Sequence, residues 1–243
     1  SDRRCYGFFH PRLPDEPLIF VEVALVDDMA DSITPLLDEA AAPADIHKAT
    51  TAVFYSISNT QTGLRGVSFG DSLIKRVVET LKVEFPKLKQ FATLSPIPGF
   101  RGWLTRNMGV MLDKLDEKQR AELGRALGFE PPGVEHFSSA LENVLTLDAK
   151  SPVRQMLMRC AAHYLGQELK DGKPLDPVAR FHLGNGARVE RLNWLGDPSA
   201  KGGRQSWGMM VNYLYDVKRL DKHRTQLAQG KIPIAPAIKE LLF

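Results

Sequence analysis

The chain has 243 residues, of which 43% are hydrophobic, 25% charged and 8% aromatic. These ordinary values exclude a disordered or fibrous protein, and a formal net charge of only +3 argues against nucleic acid as a partner. Cys5 and Cys160 are too few for a disulfide framework or a zinc site, so both are expected to be free thiols, with Cys160 on a buried helix face. The sequence shows neither a membrane span of roughly 20 apolar residues nor a signal peptide, which predicts a cytoplasmic or organelle-matrix location and no membrane partner.

Strand and helix patterns alternate through the first part of the chain. A continuously apolar, β-branched run predicts a buried strand over 17–26, and a helix is expected over 29–40. A second strand is predicted over 51–58. An apolar stripe with helical spacing then predicts an amphipathic helix over 71–85, and a third strand follows over 90–94.

The order strand, glycine-containing loop, helix, strand predicts a parallel βαβ unit with a right-handed crossover. Helical spacing then runs through 108–166, which predicts three or four helices inserted into the sheet or packed beside it. Strand patterns return over 187–194 and 207–215, with Gly202 and Gly203 in the loop between them. The sequence therefore predicts a single α/β domain over the whole chain, with a sheet, flanking helices and a helical insertion.

The most informative local motif is the loop Arg65-Gly66-Val67-Ser68-Phe69-Gly70. Because the loop leaves a strand and opens a helix, its backbone N–H groups and the helix dipole point at one place, an arrangement that binds phosphate or pyrophosphate. The loop has neither the Gly-Lys-Ser/Thr ending of a P-loop nor the GxGxxG dinucleotide pattern, and an ordinary glycine-rich connection is an equally good interpretation. Lys75 and Arg76 add positive charge one turn into the helix, where a solvated helix face is the simpler explanation for at least one of them.

A few further polar residues are candidates for a site. Ser95 ends the third predicted strand, where α/β proteins place ligands, although it could simply cap a turn. His182 lies between apolar neighbours before a glycine turn and is either a structural histidine or an acid–base group. Tyr213 and Tyr215 share one strand face, where packing is the simpler role. No pair among the six histidines has the spacing of metal ligands, so no metal site is expected.

Several long blocks, in order over about residues 6–215, resemble the malonyl-CoA decarboxylase family: FFHPRLPDEPLIFVEVAL, FYSISNTQTGLRGVSFG, LIKRVVETLKVEFP, TLSPIPGF and PVARFHLGNGARVERLNWLGD. The resemblance implies a catalytic domain with the fold of the GNAT acyltransferases, and it implies decarboxylation of malonyl-CoA to acetyl-CoA and carbon dioxide in fatty acid metabolism. Members usually carry an N-terminal helical domain that contributes to oligomerisation, and this chain begins where that domain should end. An excised or shortened catalytic domain with weaker self-association is therefore expected.

The resemblance also implies the site residues. Coenzyme A would be held by Arg65, Gly66, Val67, Ser68, Phe69, Gly70 and Asp71. Ser95 and His182 would be the principal catalytic residues, and Tyr215 and Ser56 occupy further active-site positions. Some members have Glu where this chain has Ser68, so a role for an acid there is lost or filled differently.

The implied chemistry needs no metal and no cofactor beyond the coenzyme A thioester that is the substrate. The protein must orient the scissile bond, stabilise an enolate and protonate carbon 2. His182, with an ordinary pKa of about 6.5, suits the protonation, and Ser95 is expected to hydrogen-bond the thioester oxygen or the carboxylate. An acyl-CoA-dependent N-acyltransferase and a non-catalytic acyl-CoA-binding module are the alternatives. The C-terminal Leu-Leu-Phe argues against a Ser-Lys-Leu peroxisomal address and leaves the cytoplasm, or the mitochondrial matrix of a eukaryote, as the expected compartment.

Overall fold

A computed structural model describes residues 2–38, 40–59 and 70–243. The strands are β1 (Arg3–His10), β2 (Leu13–Val26), β3 (Thr51–Asn59), β4 (Gln90–Thr93), β5 (Ser95–Pro96), β6 (Leu169–Lys170), β7 (Lys173–Pro174), β8 (Arg188–Asn193) and β9 (Met210–Leu214). The α-helices are α1 (Thr34–Leu37), α2 (Gly70–Glu84), α3 (Phe100–Asp113), α4 (Glu117–Leu127), α5 (Val134–Ala140), α6 (Pro152–Gly166), α7 (Pro177–Gly184), α8 (Ala200–Ser206), α9 (Leu220–Ala228) and α10 (Pro236–Lys239). A 3-10 helix spans Leu141–Thr146.

A seven-stranded mixed sheet organises the fold. Its strands lie in the order β1-β2-β3-β4-β9-β5, and β8 pairs with β9. The predicted βαβ unit is confirmed, because β3 and β4 are parallel and α2 connects them. The apolar stripe of α2 is buried against the sheet as predicted and consists of Leu73, Ile74, Val77, Val78 and Leu81. The expected α/β architecture of a mixed sheet with flanking helices is thus confirmed.

The sheet divides at the carboxyl end of its parallel pair. β3 pairs with β4 only as far as Phe54, and the Leu94 N–H donates to the Phe54 carbonyl at 2.9 Å. Beyond that point β3 continues to Asn59 beside β2, whereas Ser95 and Pro96 pair with β9 instead. An opening therefore forms between the last part of β3 and β5. The carboxyl ends of parallel strands are where open α/β sheets bind ligands.

Helices fill the segment between β5 and β6. They comprise α3 to α6 and the 3-10 helix, and they begin at Phe100 rather than at residue 108. The predicted start of α6 is confirmed: the Ser151 hydroxyl accepts from the Arg154 N–H at 3.5 Å and Pro152 is the first helical residue. Cys160 is buried on this helix, as expected.

The helix expected over 29–40 is wrong, because among the described residues of that range only the four residues of α1 are helical. The Met29 carbonyl accepts from the Arg191 guanidinium at 2.7 Å. The Ala30 carbonyl accepts from the Asn212 amide at 2.9 Å. These carbonyls accept from side chains of β8 and β9, which hold the segment in a non-helical conformation. Tertiary contacts have overridden the local pattern.

The loop expected around Gly202 and Gly203 is also wrong, because both residues lie in α8. The Ser199 hydroxyl starts this helix by accepting from the Gly202 N–H at 3.2 Å. A Cβ at position 202 would collide with the backbone carbonyl of Asp197. Gly202 therefore lets α8 pack closely against the Asp197 backbone, and it does not interrupt the helix. The flanking strands predicted over 187–194 and 207–215 are confirmed as the slightly shorter β8 and β9.

Candidate active site

Three polar side chains from separate elements meet beside the opening in the sheet. Ser95 belongs to β5, His182 to α7, and Tyr215 directly follows β9. The Ser95 Oγ lies 3.3 Å from His182 Nε2, and His182 Nδ1 lies 2.7 Å from the Tyr215 hydroxyl. All three residues are buried, and His182 is only 4% exposed. The structure thus brings the predicted pair together and places the predicted tyrosine on the far side of the imidazole.

The local sequence explains how α7 presents the histidine. The Asp176 carboxylate begins the helix by accepting from the N–H groups of Val178 and Ala179 at 2.9 and 3.0 Å. His182 lies in the last turn, and the helix ends before Gly186, which has φ +87°. A Cβ at Gly186 would collide with the Leu220 backbone, so this turn needs glycine both for its conformation and for space.

The hydrogen bonds around Ser95 indicate one tautomer of the imidazole. The Ser95 hydroxyl donates to Thr93 Oγ1 at 2.8 Å, and that oxygen also accepts from the Tyr213 N–H at 3.1 Å. With its proton directed at Thr93, the Ser95 oxygen accepts from His182 Nε2–H. Nδ1 then carries no proton and accepts from the Tyr215 hydroxyl. This assignment satisfies both ring nitrogens with neutral partners.

Burial determines the charge of the histidine. It lowers the pKa of His182 to about 3, because the enclosed site penalises the imidazolium form and both hydrogen-bond partners are hydroxyls. The Tyr213 ring stacks on the imidazole, with centroids 4.8 Å apart, and adds to its enclosure. The ring is therefore neutral at physiological pH. Burial thus moves the pKa of His182 well below the ordinary histidine value of about 6.5.

Ser56 is not part of this hydrogen-bonded chain. Ser56 lies on β3 beyond the division of the sheet, and among the described residues it makes no hydrogen bond to Ser95, His182 or Tyr215. Five of the predicted coenzyme A residues lie outside the described residues: Arg65, Gly66, Val67, Ser68 and Phe69. Gly70 and Asp71 begin α2. Coenzyme A binding by this segment stays a prediction.

The sequence did not point to Thr93, and it predicted only a packing role for Tyr213. Thr93 supports the Ser95 hydroxyl, and its position two residues before Ser95 is the signal that could have identified it. Tyr213, interpreted as a packing residue, covers the face of the His182 ring. Asn212 has a structural role: its amide donates to the Thr93 carbonyl at 2.7 Å and so ties β9 to β4.

The described residues hold neither a metal-ligand cluster nor a helix able to span a membrane. In residues 2–38, 40–59 and 70–243, no cluster of three or more His, Cys, Asp or Glu side chains is arranged to hold a metal ion. None of the helices in those ranges combines the length and apolar character that a membrane crossing requires.

A mixed sheet that divides beside a buried serine–histidine–tyrosine chain defines an α/β protein with a candidate ligand site at its strand ends. A family model described as the malonyl-CoA decarboxylase C-terminal domain matches residues 1–243. The chain therefore belongs to the malonyl-CoA decarboxylase family, as the sequence resemblance predicts.

Curated relatives and solved structures agree with this assignment. The mitochondrial malonyl-CoA decarboxylase of Anser anser anser is 42% identical over 224 residues, which is 88% of this chain and 44% of that protein. The protein of the same name from Mus musculus is 40% identical and is covered to 45%. The crystal structure of malonyl-CoA decarboxylase from Cupriavidus metallidurans matches all of this chain at 51% identity with a TM-score of 0.87, over 59% of its own length. The structure from Rhodopseudomonas palustris matches at 48% identity with a TM-score of 0.81, over 53% of its length. The chain thus spans about half the length of these relatives.

Proposed function

We propose that this chain decarboxylates malonyl-CoA to acetyl-CoA and carbon dioxide. The observation that carries the proposal is the buried chain of Ser95, His182 and Tyr215 beside the opening in the sheet. Family membership supports the same reaction, because the relatives bear the name malonyl-CoA decarboxylase.

The opening in the sheet suits an extended thioester substrate. Beyond Phe54, the edge of β3 that faces away from β2 has no strand paired to it among the described residues. Its backbone groups can hydrogen-bond the amides of a pantetheine arm, as an exposed strand edge binds an added strand. The loop at 65–70 would then hold the phosphates. Ser56 lies on this segment of β3, and we assign it to substrate binding rather than to proton transfer.

Loss of carbon dioxide needs a place for an electron pair. When the bond between carbon 2 and the carboxylate breaks, its electrons move into the thioester and form an enolate. In the substrate complex, the Ser95 hydroxyl turns from Thr93 to donate to the enolate oxygen. The enclosed site also favours the conversion of an anionic carboxylate into neutral carbon dioxide. Ser95 thus acts first as an oxyanion donor.

The enolate then takes one proton per turnover, and a neutral histidine can relay it. Ser95 gives its proton to carbon 2 and takes the Nε2 proton of His182, while Nδ1 takes the proton of Tyr215. Solvent returns a proton to Tyr215 after the reaction, and exchange with solvent moves the imidazole proton from Nδ1 back to Nε2, which restores the starting tautomer. The relay never requires the imidazolium ion, which burial disfavours.

A product assay tests the proposal against its two alternatives. The purified chain is incubated with malonyl-CoA, with and without an amine acceptor, and acetyl-CoA and carbon dioxide are measured. Equal amounts of both products that do not depend on the amine are expected. Transfer of the acyl group to the amine would indicate an N-acyltransferase. Binding of malonyl-CoA without turnover would indicate a non-catalytic module, and either result contradicts the proposal.

A further inference from the structure

A single buried carboxylate bonds to the two chain segments that carry the catalytic pair. One oxygen of Asp176 accepts from the N–H groups of Val178 and Ala179, which begin α7. Its other oxygen accepts from the Gly99 N–H at 3.4 Å and from the Tyr164 hydroxyl at 3.3 Å. Asp176 is only 1% exposed, so these four donors replace the water that an ionised carboxylate would otherwise need.

Both catalytic residues lie a few residues from this carboxylate. Gly99 follows Ser95 after the segment Pro96-Ile97-Pro98, in which two prolines restrict the backbone and Ile97 is fully buried. On the other side, one short helix connects Asp176 to His182. Any movement of Gly99 relative to α7 would therefore change the 3.3 Å separation between Ser95 and His182.

The packing at Gly99 leaves no room for a larger residue. A Cβ at this position would collide with the Tyr164 hydroxyl and would lie 3.6 Å from the Asp176 carboxylate. The φ of Gly99 is −89°, a value open to any residue, so glycine is needed here for space and not for backbone conformation. The sequence thus places its smallest residue where the turn after Ser95 packs against Tyr164 and Asp176.

We infer that Asp176 is a positioning residue that sets the distance between Ser95 and His182 by joining the start of α7 to the turn after Ser95. The inference rests on the proposed function, because it assigns Asp176 a part in decarboxylation. Asp176 does not touch the reacting atoms. It acts by holding two groups that do, and misplacement of such groups is costly even when it is small.

Asp176→Asn keeps the cap of α7 but removes the hydrogen bond to Gly99. An asparagine oxygen can still accept from Val178 and Ala179, but its amide nitrogen then faces the Gly99 N–H, and two donors cannot bond. We expect a folded protein whose kcat falls by about tenfold or more while KM changes less than about threefold. Asp116→Asn is the matched control: Asp116 caps α4 by accepting from the Gln119 N–H at 2.8 Å on the exposed surface, and its replacement should leave kcat unchanged.

Gly99→Ala tests the same connection without changing the Asp176 carboxylate or the cap of α7. The added methyl group should push the turn away from Tyr164 and Asp176 and lower kcat in the same way. If either variant is folded and keeps the wild-type kcat, or if only KM rises, the inference is wrong. An equal loss of kcat in Asp116→Asn would also overturn it, since that would reflect general loosening of helix caps.

A spectroscopic readout keeps this inference separate from the proposed function. The nitrogen resonances of the His182 ring are assigned by comparison with His182→Asn, and they report its hydrogen bonds to Ser95 and Tyr215. Asp176→Asn should shift the Nε2 resonance, because the bond to Ser95 changes, and Asp116→Asn should not. An unchanged Nε2 resonance overturns the inference. A wild-type protein without decarboxylase activity would instead contradict the proposed function, while the resonances still test the positioning.

Discussion

Two buried histidines of this protein have different partners. His182 is bonded to the hydroxyls of Ser95 and Tyr215. His163, on α6, lies 3.0 Å from the Glu168 carboxylate through Nε2, and its Nδ1 has no hydrogen-bond partner among the described residues. Burial lowers the pKa of both rings, but at His163 the carboxylate opposes that effect. The two rings therefore differ in how deeply they are enclosed and in the charge of their partners.

The difference shows that the partners of a buried histidine decide its chemistry. Hydroxyls satisfy both nitrogens without stabilising a positive charge, so His182 stays neutral and can pass a proton in one side and out of the other. A carboxylate stabilises positive charge on the ring, so at His163 the Glu168 carboxylate opposes the lowering of the pKa by burial. Of these two environments, the one around His182 suits a proton relay.

The largest expected effect comes from removing the relay. His182→Asn should lower turnover by about 10²-fold or more, because asparagine cannot pass a proton at neutral pH. His163→Asn should leave kcat within about threefold of wild type, since its partner lies outside the relay. Steady-state assays of both variants, with circular dichroism to confirm folding, check the comparison. Similar losses in the two variants would contradict it.

Ser95→Ala should lower turnover by a similar factor of about 10², since the hydroxyl both donates to the enolate and delivers the proton. The double variant with His182→Asn should lose little more than either single variant, because both residues act on one transition state. Turnover measured in all three variants tests this non-additivity. Additive losses would mean that the two residues act in separate steps.

A variant that weakens coenzyme A binding but keeps both His182 and His163 makes the comparison more specific. Gly66→Val should weaken coenzyme A affinity at least about tenfold, because a branched Cβ blocks close approach of a ligand to the backbone. Gly172→Val is the control: Gly172 has φ +73°, its Cβ position is open, and it lies between β6 and β7, outside the proposed site. Titration calorimetry measures both affinities. Unchanged affinity in a folded Gly66→Val protein would show that the loop does not hold the ligand.

Removing the Tyr215 hydroxyl, the end of the relay farthest from Ser95, should lower kcat moderately. Tyr215→Phe keeps the ring that contacts Phe54 but loses the donor to His182 Nδ1, so kcat should fall roughly threefold to tenfold. Tyr6→Phe is the control, because the buried Tyr6 hydroxyl has no hydrogen-bond partner among the described residues and lies on β1. Its removal should leave kcat unchanged. A wild-type kcat for Tyr215→Phe would place proton entry elsewhere.

A separate expected effect is on stability in acid. The folded pKa of His182 lies below its unfolded value, so from pH 6.5 down to about 3 the unfolded chain binds a proton that the folded protein does not. Over that range the free energy of unfolding should fall by about 1.4 kcal/mol per pH unit from this group. His182→Asn should remove this dependence, and His163→Asn should remove less of it. Urea denaturation at pH 7, 6 and 5 measures the slopes, and parallel slopes for wild type and His182→Asn would contradict the expectation.

Local signals were sufficient for some elements and misleading for others. The stripe of α2 and the Ser151 cap of α6 act within a few residues of themselves, and both were predicted correctly. The segment at 29–40 was predicted wrongly because Arg191 and Asn212, far along the chain, bond to its carbonyls. Gly202 was misread because its role is a close contact with Asp197, which no local pattern reveals.

The sequence by itself determined the parallel βαβ unit and the family, since periodicity, caps and motif blocks are carried by neighbouring residues. It also indicated Ser95, His182 and Tyr215 through the resemblance. Only the tertiary structure decided that Ser95 and His182, 87 positions apart, meet at hydrogen-bond distance, and that Asp176 joins their segments. The tertiary structure also decided that His182 is neutral. The charge of a side chain depends on the solvent and dipoles around it, and at His182 these surroundings are supplied by residues distant in sequence.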